Sequence, residues 1–113
     1  MQFEIHGNHM TITNQLRGHI ERRFCFALER FASRIRRVRV SIGDLNGPRG
    51  GIDKRCRVTV ALARSTMLVI EERDSSIYAA IDRVADKAGM CIGRRIKRHK
   101  GGGEYMRISQ LLD

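Results

Sequence analysis

The sequence predicts a two-layer α+β domain: two amphipathic helices covering one face of a four-stranded, mainly antiparallel sheet. Three observations predict it. Two long stretches, about Asn14 to Ala32 and about Ile77 to His99, repeat their apolar residues with the helical period of about 3.6 residues. Shorter stretches alternate apolar and polar residues, as strands buried on one face do. The resulting order is β-α-β-β-β-α without internal repeat, and 113 residues suffice for one such domain with a modest core.

The first strand is Gln2 to His6, with Phe3 and Ile5 on one face. Gly7-Asn8-His9-Met10 then turns the chain, and Thr13 is placed to cap the first helix, its hydroxyl accepting from a free amide of the first turn. Along that helix Leu16, Ile20, Phe24, Ala27, Leu28 and Phe31 form one stripe. Arg37 to Ile42 alternates, with Val38, Val40 and Ile42 inward and Arg37, Arg39 and Ser41 outward. Gly43 to Gly51 holds the only proline and four of the eleven glycines, a loop composition. Lys54 to Ala63 alternates again, with Cys56, Val58, Val60 and Leu62 inward. Arg64-Ser65-Thr66 turns into a fourth strand, about Met67 to Glu72, whose alternation is poor. Asp74-Ser75-Ser76 offers caps for the second helix, where Ile77, Ile81, Val84, Ala88, Ile92 and Ile96 form the apolar stripe. Gly101-Gly102-Gly103 stops it. Residues 1–100 therefore read as the folded domain and residues 101–113 as a flexible C-terminal tail.

Charge narrows the function. Lys and Arg number 22 against 12 Asp and Glu, a formal charge of +10 with a pI near 10.8. That balance implies a polyanionic partner: RNA, DNA or an anionic membrane surface. No apolar stretch approaches the roughly 20 residues of a membrane span, and the N-terminus lacks a basic region followed by an apolar run, so neither an anchor nor a secretory signal is expected. Three cysteines at wide spacing, Cys25, Cys56 and Cys91, make no disulfide framework and suit a reducing cytoplasm.

The charge is patterned. On the second helix Arg83, Lys87, Arg94 and Arg98 fall within a sector of about 60° beside the apolar stripe. From Ser75 to Lys100 seven bases, Arg95, Lys97 and Lys100 among them, face only two acids, Asp82 and Asp86. Bases at a helix C-terminus also favour the negative end of the helix dipole, but that does not account for a stripe reaching back to Arg83. On the first helix Arg23, Arg30 and Arg34 cluster within about 40°, provided the helix extends to Arg34. Side by side, the two helices would present one basic surface suited to phosphate contacts. The outer sheet face carries Arg37, Arg39, Arg55 and Arg57 but lacks the aromatics with which sheet-based readers stack bases. It is a competing RNA surface, but without those aromatics it reads as mainly solvated exterior. Four Phe and two Tyr in the whole chain favour recognition of folded RNA by shape and backbone.

Other chemistry finds little support. Gly47-Pro48-Arg49-Gly50 matches the GxxG of KH domains but joins two strands, whereas the KH loop joins two helices. No phosphate-loop or dinucleotide fingerprint occurs. Cys25, Cys56, Cys91, His6, His9, His19 and His99 lack metal-ligand spacing, and the acids form no paired-carboxylate signature, so no cofactor, metal or catalytic residue is expected.

Several strings resemble the ribosome hibernation promoting factor and ribosome-associated translation inhibitor family, also called sigma-54 modulation proteins. They are Gly7-Asn8-His9-Met10 before Thr13; Leu16-Arg17 and Ile20; Asp74 through Ile77-Tyr78-Ala79-Ala80-Ile81-Asp82; Asp86-Lys87; and Lys97-Arg98-His99-Lys100. The resemblance covers about Gln2 to Lys100. Two departures stand out: the Gly43 to Lys54 segment is longer than the usual hairpin loop, and the second helix has about one extra turn between Asp86-Lys87 and its basic end.

The resemblance implies the β-α-β-β-β-α fold and a short, single-domain member, without the second domain by which long members pair ribosomes. It implies binding to the small ribosomal subunit, where messenger and transfer RNA would sit, with basic helix faces on ribosomal RNA. Lys87 matches the family's D-K lysine, Lys97 to Lys100 its basic terminus, and Arg17 and Arg23 lie at or near its basic positions on the first helix. With the charge pattern, the expected RNA-binding set is Arg17, Arg23, Arg30, Arg83, Lys87, Arg94, Arg95, Lys97, Arg98, His99 and Lys100. Two other classes stay open: a regulatory protein-binding module, for example on a sigma factor, and a small enzyme using a cysteine or histidine.

Overall fold

The computed structural model describes residues 2–45, 53–63 and 66–101, with side chains described as far as Ile96. The GxxG string, most of the Gly43–Gly51 loop, Arg64-Ser65 and the tail beyond Gly101 lie outside the described residues.

The order predicted is the order observed. Strand β1 (Gln2–Asn8) leads to helix α1 (Asn14–Leu28), then β2 (Ile35–Asp44), β3 (Lys54–Leu62), β4 (Met67–Asp74) and helix α2 (Ile77–Gly101). The four strands form one sheet in the order β1-β2-β3-β4. The β1–β2 pair is parallel and the other two pairs are antiparallel. That arrangement follows from connectivity: a helix carries the chain back between β1 and β2, whereas β2–β3 and β3–β4 are joined directly.

Alternation puts Val38, Val40 and Ile42 opposite Val60, Val58 and Cys56 on the inner face, and all six are buried. Leu16, Ile20, Phe24 and Leu28 of α1 cover this face together with Ile77, Ile81, Val84, Ala88 and Ile92 of α2. Phe3 on β1 packs its ring against Phe24, the centroids 6.2 Å apart. Burial at about 25 cal/mol per Å2 of apolar surface is what holds the two layers together.

The caps work as the sequence suggests. The Leu16 amide donates to Thr13 Oγ1 at 3.1 Å. At α2 the Ala79 amide donates to Ser76 Oγ at 3.4 Å, and Asp74 accepts from the Ser76 amide at 2.9 Å. Within β1, just before the turn at His9-Met10, a Cβ on Gly7 would stand 2.4 Å from the Met10 carbonyl oxygen, so only glycine fits there. His9 takes a positive φ of 56° in the same turn.

Strand β1 runs on through Gly7 and Asn8, which the sequence assigns to the turn, and two further features differ from the expectation. The α-helix ends at Leu28, and Glu29–Arg34 forms a tighter 3-10 helix. Buried Leu28 and buried Ile35, the first residue of β2, fix both ends of that connection. A tighter coil spans it, overriding the helical period. The condition for an Arg23–Arg30–Arg34 cluster on one helix face therefore fails. The second difference is a β-bulge: Ile35 pairs with Leu62 but Arg37 pairs with Ala61, leaving Arg36 as the extra residue on β2.

Candidate nucleic-acid interface

The two helices run parallel, as successive contacts show. His19 and Arg23 meet Asp82, Ala27 meets Gly89, and Phe31 meets Gly93. Side chains at these positions lie between the helices. Arg23 donates through Nε to Asp82 at 2.9 Å and through Nη2 to Asp86 at 2.9 Å. His19 Nε2 is 2.8 Å from the same Asp82 oxygen, and its ring meets Tyr78 edge-on at 4.8 Å. Arg23 is thus neutralised by two carboxylates and ties α1 to α2.

Arg83 and Lys87 lie on the other side of α2, over the edge strand β4. Arg83 donates to Glu72 at 3.2 Å, to Asp74 at 2.8 Å and to the Arg73 carbonyl at 2.8 Å. Lys87 donates to the second oxygen of Glu72. The Lys87 hydrogen bond, then the Arg83 bond, hold the Glu72 carboxyl below its ordinary range. The Ser76 amide and then Arg83 do the same for Asp74, and Asp74 raises Arg83 in turn. These cations join helix to sheet. The pairing also explains the poor alternation of β4: Glu72 and Asp74 stand opposite Cys56 and Lys54, on the helix-covered face, and at the sheet edge they meet Arg83.

The expected basic positions therefore divide. Arg23, Arg83 and Lys87 hold elements together, on opposite sides of α2. Arg17 and Arg94 are exposed. Arg30 is exposed in the 3-10 helix, its guanidinium 4.7 Å from the Phe31 ring centre. Arg95 reaches the Met67 carbonyl at 3.4 Å. Lys97, Arg98, His99 and Lys100 occupy the last turns of α2.

The contacts also fix where α2 ends. Arg83 is level with Glu72 and Asp74, and Arg95 is level with Met67, the first residue of β4. The 25-residue helix is about 37 Å long, at about 1.5 Å per residue. The 8-residue strand spans about 27 Å, at about 3.4 Å per residue. Beyond Arg95 the helix runs past the end of the strand. Between Lys87 and Lys100 the sequence contains no carboxylate, so the projecting end is cationic throughout.

On the outer sheet face lie Arg37, Arg39, Arg55, Arg57 and Arg73, with Glu4 and Glu71 between them. Arg57 and Arg73 reach Glu71 at 3.0 and 3.5 Å, and Arg37 is 3.8 Å from Glu4. The Nε of Arg55 is buried without an acceptor. Among the described residues no cluster of three His, Cys, Asp or Glu side chains is placed to hold a metal ion, and no helix is long and apolar enough to cross a membrane.

Fold and sequence together define a small, strongly basic βαβββα domain whose α2 ends in a run of basic residues without a carboxylate. Residues 3–102 match the family described as sigma 54 modulation protein / S30EA ribosomal protein, and the chain belongs to that family. The resemblance carried by Gly7–Met10 and Asp74–Asp82 therefore holds. A ribosome hibernation promotion factor of Picosynechococcus sp. is 28% identical over 100 residues, covering 88% of this chain and 49% of that protein. The chain thus spans about half the length of this curated relative. The N-terminal domain of protein Y from Thermus thermophilus superposes with a TM-score of 0.68 at 25% identity, covering 83% of this chain and 98% of that one. A ribosomal subunit interface protein from Coxiella burnetii gives a TM-score of 0.71 at 15% identity, covering 86% and 99%, a likeness of fold.

Proposed function

We propose that this chain is a cytoplasmic, ribosome-associated translation inhibitor that binds small-subunit ribosomal RNA and blocks the messenger and transfer RNA sites by occupying them. Family membership and the names of its relatives favour a ribosomal partner. The observation that carries the RNA reading is the end of α2, where Arg94, Arg95, Lys97, Arg98 and Lys100 follow one another without a carboxylate on a helix that projects beyond β4. Such an array neutralises successive phosphates and releases their counterions. Exposed Arg17 and Arg30 add to the same layer. The mechanism is steric and needs no chemical step.

The test combines pelleting with purified small subunits and inhibition of cell-free translation, with Lys97→Glu/Arg98→Glu beside the unmodified protein. Pelleting should fall steeply between about 50 and 200 mM salt, and the double variant should lose both pelleting and inhibition while melting normally. Full inhibition by the variant, or pelleting insensitive to salt, would overturn the reading. Migration with a sigma factor or other protein in place of ribosomes would favour a regulatory protein-binding module.

A further inference from the structure

The bulge at Arg36 reshapes one end of the outer sheet face. A bulge leaves one residue unpaired and re-aims the side chains around it. Here it brings Arg36 and Arg37, neighbours in sequence, to the same depression as Arg39. The depression, of about 900 Å3, has Thr59 and Ala61 of β3 among its lining residues, together with Gln2 of β1 and Met67 of β4. Among the described residues no carboxylate lies within ion-pairing distance of Arg36 or Arg39, and Arg37 has only Glu4 at 3.8 Å. Among the described residues the face carries six arginines, Arg36 included, against two glutamates. By contrast Arg23, Arg83 and Lys87 on the helix layer are each paired with carboxylates.

The cup lies at the same end of the domain as the cationic end of α2. Met67 marks both places: its carbonyl accepts from Arg95 on the helix side, and it lines the cup on the other side. A second copy of this face is excluded as the occupant, because a two-fold contact would set arginine against arginine. A chain of phosphates matches three arginines lining one depression, since guanidiniums bind phosphate oxygens in a fixed fork.

We propose that Arg36, Arg37 and Arg39 form a second RNA contact, a cup for the sugar–phosphate backbone on the outer sheet face, so that the end of the domain marked by Met67 is held between two RNA segments. This rests on the reading that the partner is ribosomal RNA, and it gives RNA contact to a face that the sequence reads as mainly solvated exterior.

The experiment measures binding to deproteinised small-subunit ribosomal RNA and to intact small subunits across a salt series. The proteins are the full chain, Arg36→Glu/Arg39→Glu, Arg36→Ala/Arg39→Ala, Lys97→Glu/Arg98→Glu, and Arg57→Gln as a control elsewhere on the same face. Melting curves check folding; Arg36 and Arg39 are exposed, so both variants should melt like the parent. The alanine pair should lower the salt slope on RNA by about two units, one per lost phosphate contact. The glutamate pair should bind at least about tenfold more weakly, and Arg57→Gln should bind like the parent. If the cup variants bind RNA like the parent while the helix-end variant does not, the cup proposal falls and the functional reading stands. If they lose intact subunits but keep RNA, a ribosomal protein occupies the cup, and the RNA assignment is overturned. If the parent binds neither, both readings fail together.

Discussion

Arg83 donates to Asp74 across the seam between α2 and β4, Nη1 to Oδ2 at 2.8 Å, while its Nη2 donates to the carbonyl of Arg73 at 2.8 Å. One guanidinium thereby fixes the start of α2 to the end of the strand that precedes it. Lys87, one turn on, repeats the arrangement with Glu72. Both bases belong to a sector that the sequence marks for phosphate contact, and both already have carboxylate partners.

Neutralising these struts should therefore act on stability more than on RNA affinity. Arg83→Gln and Lys87→Gln should each lower Tm by no more than a few degrees, because exposed ion pairs are screened. Each should change the salt slope for small subunits by less than one unit. Lys97→Gln or Arg98→Gln should instead lower that slope by about one unit. Melting curves and a salt titration decide it. A full unit lost with Arg83→Gln at unchanged Tm would mean that Arg83 leaves Asp74 to bind phosphate.

The same seam sets an acid limb. Lys87 and Arg83 hold the Glu72 carboxyl below its ordinary value, so its folded pKa is depressed. A depressed carboxylate contributes stability that is present above the unfolded pKa and is lost as pH falls through the folded one. Asp74, held down by the Ser76 amide and Arg83, acts in the same direction. Glu72→Gln should melt below the parent at neutral pH and converge with it in acid, once the parent carboxyl is also protonated. Melting curves that stay parallel from neutral to acid pH would show that Glu72 contributes nothing through its charge.

How far these features are legible in the sequence depends on whether they are local. Thr13 and Ser76 are readable as caps because an N-cap needs only its own helix start. The inner residues of β2 and β3 are readable because one face of each strand is uniformly apolar. The poor alternation of β4 is also visible, but its cause is a tertiary pairing: Glu72 faces the helix layer because Arg83 and Lys87 lie above it. The same applies to Arg23, whose partners Asp82 and Asp86 are about sixty residues away in sequence. Helical angles alone place these cations on a face, but not beside their carboxylates. The bulge at Arg36 has no sequence signal either. Simple alternation turns Arg36 away from Arg37 and Arg39, which hides the cup.

The cysteines should separate cleanly by reactivity. Cys25 is exposed, Cys91 is half-buried, and Cys56 is buried between the sheet and the helices. Burial pushes the Cys56 thiol up to about 12, which removes the nucleophilic thiolate at neutral pH. A thiol reagent on the native protein should label Cys25 quickly, Cys91 more slowly and Cys56 only after denaturation. Mass mapping of the modified peptides checks the order. Labelling of Cys56 as fast as Cys25 would mean that the two layers part readily.

Two helical glycines should respond differently to alanine. Glycine costs a helix interior about 0.5–1 kcal/mol relative to alanine, so Gly→Ala is favourable wherever there is room. At Gly18 the nearest obstacle to a new Cβ is Arg22 Nη1 at 3.2 Å, the far end of a flexible side chain that can swing aside. Gly18→Ala should therefore stabilise the domain by roughly 0.5–1 kcal/mol. At Gly89 the obstacle is the Ala27 carbonyl oxygen of α1, 3.1 Å away. That atom belongs to the backbone of a helix pinned by buried Phe24 and Leu28, so it can yield only if the helices separate. Gly89→Ala should gain little or nothing, and Gly89→Val, with more to accommodate, should lose about 1–3 kcal/mol as overpacked sites do. Chemical denaturation of the three variants measures all of this. Stabilisation by Gly89→Val would show that the Ala27–Gly89 approach does not set the spacing of the helices.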